Sequence, residues 1–181
     1  MKTHIDKCSG VVSGTSPGIT ARLPAAPSHE TIDTVAEVAK RNPMQPPENK
    51  TVITSFVEEV VNQGRLDRAD DLVAVDFVEL DPLPGQQQGR EGLKQVIGAF
   101  RTAFPDIHWV IEELIGEGEK VFSRFTWHGT HRGEFFGVPA TGKQIKVKGM
   151  AVDRVVAGKM AESRILMDGL SMMKQLGVIP E

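Results

Sequence analysis

The dominant hydrophobic repeat of this chain changes at Pro105, and that change limits what the chain can fold into. Before it, "NKTVITSFVEEVVNQG" places Val52, Ile53, Phe56, Val57, Val60 and Val61 at helical spacing, and Gly64 ends the run as a C′ residue does. "RLDRADDLVAVDF" predicts a second short helix that packs Leu66, Ala69 and Leu72 or Val73. "DFVELDPLPG" predicts a short extended piece broken by Pro82 and Pro84. "GREGLKQVIGAFRTAF" restores the helical period through Leu93, Val96, Ile97 and Phe100, ending before Pro105.

After Pro105 the period is two. "IHWVIEELIGEGEKVFSRFTWHGTH" predicts two strands joined by a tight "GEGE" turn. "KQIKVKGMAVDRVVAGKMAESRILMDG" predicts two more, joined near "AGK", and "LSMMKQLG" a closing helix. Helices followed by an antiparallel meander is the α+β arrangement, in which helices cover one face of a curved sheet.

The first ~48 residues differ from the rest. "SGVVSGTSPGITARLPAAPS" is rich in Ser, Gly, Pro and Ala without a lasting period, which predicts a flexible or weakly structured extension over residues 1–48. Within it, "TIDTVAEVAKRN" (Thr31 to Asn42) predicts a short helix, and "PMQPPE" a stiff break. The domain proper is expected over residues 49–181.

Composition narrows the function classes. A formal charge of −3 argues against nucleic-acid binding, which normally needs a basic stripe. No stretch approaches the roughly 18 apolar residues of a membrane helix. The basic N-terminus has no continuous apolar core, so a secretory signal is not expected, and a transit peptide is only weakly suggested. Cys8 is the only cysteine, which suits a reducing cytoplasm, and the expected location is cytoplasmic.

"GREGLK", "AFPDI", "GTHRGEFFGVPATGK" and "MDGLSMMKQLG", in this order, resemble the SnoaL-like polyketide cyclase family, whose members are often described as ester cyclases. The resemblance runs from about Asn49 to the C-terminus. It implies a cone-shaped α+β fold like nuclear transport factor two, with a pocket inside the curved sheet and homodimers formed through the sheet's outer face. It further implies intramolecular aldol condensation of a hydrophobic polyketide ester, with a pocket carboxylate as base and neither metal nor organic cofactor.

Three residues are candidates for catalysis. Asp168 aligns with an acid often present in the family, and it also suits an N-cap ahead of "GLSMMKQL". Asp153 shares strand parity with Val147, Gly149 and Ala151; it either projects into the pocket with a raised pKa or pairs with Arg154 or Arg124. Arg124 either polarises a substrate carbonyl or forms a salt bridge to a neighbouring strand. If the three converge, a carboxylate-activated water becomes possible, as in epoxide hydrolases of this architecture.

Trp127, His131, Phe135, Phe136, Met150 and Glu79 are the expected substrate contacts, with His131 at the rim and the two phenylalanines in a lid or mouth loop. His128 and His131 lie three apart on a strand, so they point to opposite faces and make a poor metal pair. Leu80, Ala151, Arg164 and Ile165 stand where relatives tend to carry polar, acidic or aromatic groups. Those departures leave open a second class of function, a binding protein that holds a hydrophobic molecule without transforming it.

Overall fold

The computed structural model describes residues 46–180. Of the extension expected over 1–48, residues 1–45 lie outside them, as does the helix expected at 31–42. Helix α1 (Pro46–Ser55) starts where a stiff break was expected, taking Pro46 and Pro47 into its first turn, where a missing N–H costs no hydrogen bond. It runs on as a π-helical segment, Phe56–Asn62. The apolar residues here come in pairs every four positions: 52/53, 56/57 and 60/61. Such a repeat drifts by about 40° per pair on a 3.6-residue helix. The wider π turn reduces that drift, and Phe56, Val57, Val60 and Val61 all stay buried.

A 3₁₀ turn (Leu66–Arg68) and one turn of helix, α2 (Ala69–Leu72), follow. The second helix is shorter than its sequence suggests, because the β-branched Val73 and Val75 begin strand β1 (Val73–Glu79). Helix α3 (Gly89–Ala103) ends two residues before Pro105. Strands β2 (His108–Glu117) and β3 (Lys120–Thr130) form the first hairpin, β4 (Gln144–Val156) and β5 (Lys159–Met167) the second. Helix α4 (Gly169–Leu176) closes the fold.

The five strands form one curved, unclosed sheet in the order β1-β5-β4-β3-β2. The meander β2 to β5 is antiparallel, as expected, but β1 pairs parallel with β5. That parallel edge is not visible in the alternation, because the helical segment between β1 and β2 sends β1 to the far side of the sheet. The α+β class expected from the sequence is the one observed.

Burial on β4 alternates strictly from Ile145 to Asp153, odd positions in and even positions out. One inward position must be glycine: a Cβ on Gly149 would lie 2.5 Å from the Phe125 ring and 2.8 Å from the Leu166 carbonyl. The core has two parts. One gathers α1, the π segment, Phe77, Val121 and Val155; the other gathers Phe100, Phe104, Phe125, Trp127, Val147 and α4.

Candidate active site

A cavity of about 290 Å³ lies between the concave face of the sheet and the helices. Phe56, Val57 and Val61 come to it from the π segment, Leu93, Ile97 and Phe100 from α3, and Phe125 and Ile165 from the sheet. Few polar side chains reach its wall. Glu79, Ser123, Asp153 and Ser163 do so from the strands, and Asp81, Gln86 and Arg101 from elsewhere.

Asp153 is 5% exposed and faces this cavity. Burial pushes its carboxyl up to about 7, against a hydrogen bond from the Ser163 hydroxyl that favours the charged form; the Glu79 carboxylate adds to the rise. Its expected alternative partners are engaged elsewhere. Arg154 contacts Glu119 and Glu162, and Arg124 contacts Glu112 and Glu113.

Glu79 is also buried on the cavity wall. Burial raises its pKa above the ordinary glutamate value, and the backbone N–H of Asp81, which donates to Oε1 at 3.3 Å, pulls the other way.

The other catalytic candidates sit elsewhere. Arg124 is exposed on the convex face. A bulge in β2 between Ile111 and Glu113 inserts an extra residue there, so that two glutamates reach one guanidinium. Asp168 is exposed and caps α4, its carboxylate accepting from the Ser171 N–H at 2.9 Å. Neither lines the cavity that Asp153 faces, so the Arg124–Asp153–Asp168 cluster required for an activated water does not assemble.

Among the expected substrate contacts, Glu79, Phe135 and Phe136 line the cavity. Phe135 is buried, and Phe136, at φ 48°, is half exposed at the mouth. Trp127 is instead wholly buried behind the wall, edge-on to Phe100 and Phe104 with centroids 5.9 and 5.2 Å away. His131 is not at the rim. It is buried with its ring stacked on Phe104, and Nδ1 lies 3.1 Å from the Thr141 hydroxyl; burial lowers its pKa. Met150 has the outward parity of Lys146 and Lys148 and is 47% exposed on the convex face.

His128 is exposed and sits against His108 across the β2–β3 pair. Among the described residues, no group of three or more His, Cys, Asp or Glu side chains is arranged to hold a metal ion. Leu80 and Arg164 face away from the cavity, and Arg164 is ion-paired with Asp81 at 3.0 Å. Ala151 and Ile165 do line it, and each adds an apolar side chain to the wall.

Sequence reasoning missed Ser163. The signal was present: Glu162 and Arg164 share a polar parity on β5, which leaves Ser163, Ile165 and Met167 facing inward.

The model of the SnoaL-like polyketide cyclase family matches residues 51–176. Nogalonic acid methyl ester cyclase from Streptomyces nogalater is 28% identical over 118 residues, covering 64% of this chain and 88% of that protein. Aklanonic acid methyl ester cyclase from Streptomyces peucetius is 25% identical over 122 residues, covering 66% and 84%. In fold, the chain is similar to TsrD from Streptomyces laurentii, with a TM-score of 0.70 and 24% identity over 75% of this chain and 99% of that one. A SnoaL-like polyketide cyclase from Agrobacterium tumefaciens superposes with a TM-score of 0.62 and 16% identity, over 74% of this chain and 100% of its own. With the family model spanning both helices and sheet, the chain belongs to the SnoaL-like polyketide cyclase family.

Proposed function

We propose that the protein is a cyclase that closes a ring in a hydrophobic, polyketide-like carbonyl compound by an intramolecular aldol-type step, with Asp153 as general base. The observation that carries this reading is a buried carboxyl on the cavity wall whose pKa is pushed up to about 7. An ordinary exposed aspartate is too weak a base to remove a proton from carbon. Desolvation strengthens it while leaving it ionisable near neutral pH. The apolar majority of the wall suits a substrate of largely carbon skeleton, and two relatives are named as cyclases of nogalonic and aklanonic acid methyl esters.

The test is turnover of polyketide-like β-keto esters by the native chain and by Asp153→Asn. Asparagine keeps the shape and cannot accept the proton, so kcat/KM is expected to fall by roughly 10²–10⁴. Undiminished turnover in that variant sinks the base assignment. Binding without turnover by the native chain favours the binding-protein reading, for which Ala151 and Ile165 are the supporting observation.

We also propose that the chain forms a homodimer through the convex face of the sheet. Met150, Val152 and Leu166 are 47%, 41% and 60% exposed there on adjacent strands. An apolar patch of that kind is more often covered than left in water.

A further inference from the structure

Glu79, Ser163 and Asp153 lie in one row across three adjacent strands. Glu79 on β1 is in register with Ser163 on β5, and Ser163 is in register with Asp153 on β4. All three are at most 7% exposed, and all three line the cavity. Registered residues on neighbouring strands point to the same face, so the two carboxyls stand on the cavity side with the serine between them, and the Ser163 hydroxyl donates to Asp153. Their backbones are two strand spacings apart, about 10 Å, and the Glu79 charge acts on Asp153 across that gap.

Two carboxylates on one poorly solvated wall do not both ionise readily. The remaining charged groups on the cavity wall leave the pair uncompensated. Asp81 is ion-paired with Arg164, and Arg101 donates from Nη1 to the Val61 and Asn62 carbonyls at 2.8 and 2.9 Å.

From this row we infer that Glu79 and Asp153 hold a single proton between them, with the Ser163 hydroxyl as the bridge, so that the cavity offers one acid and one base at the same time. The inference rests on the cyclase reading and deepens it, by making Glu79 a second catalytic residue and Ser163 a positioning residue. It also narrows the substrate class to compounds that present an acidic C–H and an accepting carbonyl oxygen to the same wall.

The proton balance closes without a co-reactant. The Asp153 carboxylate takes the proton from carbon, and the carbanion forms the new C–C bond to the carbonyl carbon. The carbonyl π pair moves to oxygen, which takes the proton of the Glu79 carboxyl. Asp153, now protonated, donates to Ser163 while Ser163 donates to the Glu79 carboxylate, and the starting state is restored. The product is an isomer of the substrate.

The experiment is a ¹³C carboxyl titration of the full chain, native and as Glu79→Gln, Ser163→Ala and Ser163→Thr, alongside pH–rate profiles. The native pair is expected to titrate in two coupled steps seen at both residues. Removing the neighbouring charge in Glu79→Gln lowers the Asp153 midpoint and reduces it to one step; removing the hydroxyl donor in Ser163→Ala raises it, and Ser163→Thr restores it. The native kcat/KM profile is bell-shaped. Glu79→Gln loses the descending alkaline limb and roughly 10²-fold in rate. Ser163→Ala loses about tenfold in kcat with little change in KM.

An Asp153 midpoint unmoved by Glu79→Gln overturns the shared proton, whatever the kinetics. Full activity in Glu79→Gln together with an inactive Asp153→Asn overturns the acid role while leaving the base reading intact. Coupled titration in a native chain that turns over no β-keto ester supports the shared proton and rejects cyclisation. Folding of each variant is checked by its melting curve, and Ser163→Ala serves if Glu79→Gln does not fold.

Discussion

At the residue scale, Asp153 links chemistry to stability. Its pKa in the fold, about 7, lies above the ordinary aspartate value. Between those two values the native state keeps a proton that the unfolded chain releases, so the contribution is fully present below about pH 4 and is lost as pH rises through 7. Native unfolding free energy is therefore expected to fall over that window, with a slope of at most ~1.4 kcal/mol per pH unit. Asp153→Asn should remove most of this slope in chemical denaturation at a series of pH values; an unchanged slope means the carboxyl is not buried in solution.

Gly149 makes a second residue-scale prediction. An alanine there must displace the Phe125 ring, which stacks on Trp109 with centroids 4.3 Å apart. A loss of about 1–3 kcal/mol is expected, as for other overpacked cores, read from the denaturation midpoint. Reduced substrate affinity should accompany it, because Phe125 and Trp109 both line the cavity.

At the scale of elements, Asp168 separates a cap from a catalytic acid. As the N-cap of α4 it is replaceable by any residue whose side chain accepts the same bond. Asp168→Ala should cost about 0.5–2 kcal/mol, and Asp168→Ser should recover most of it with activity retained. An inactive, fully folded serine variant would return Asp168 to the chemistry. Most elements were legible in the sequence, because α3 carries a helical period and the meander strands alternate, most regularly on β4. The parallel edge β1 was not, since strand partners are chosen by chain path and not by local pattern.

At the scale of the whole molecule, two expectations concern assembly and extent. Light scattering should give twice the chain mass, and Leu166→Glu on the convex face should return it to the monomer value; a monomeric native chain contradicts the proposed dimer. A chain lacking residues 1–45 is expected to keep a cooperative melt, with a lost or broadened transition contradicting it. Among the described residues no helix is long and apolar enough to cross a membrane.

Local pattern by itself determined the class of fold, the positions of helices and strands, and which strand faces carry apolar residues. It left Asp168 and Arg124 beside Asp153 as candidates, because alternation sorts a strand's residues into two faces without saying which face is concave, and an acid before a helix reads equally as a cap. The tertiary structure decided among them. Curvature gives the sheet a concave side, where only Asp153 of the three loses its water, and register brings Glu79 and Ser163, distant in sequence, into its row. Desolvation and strand pairing depend on the packed whole, which is why the family was readable from the chain and the arrangement of its carboxylates was not.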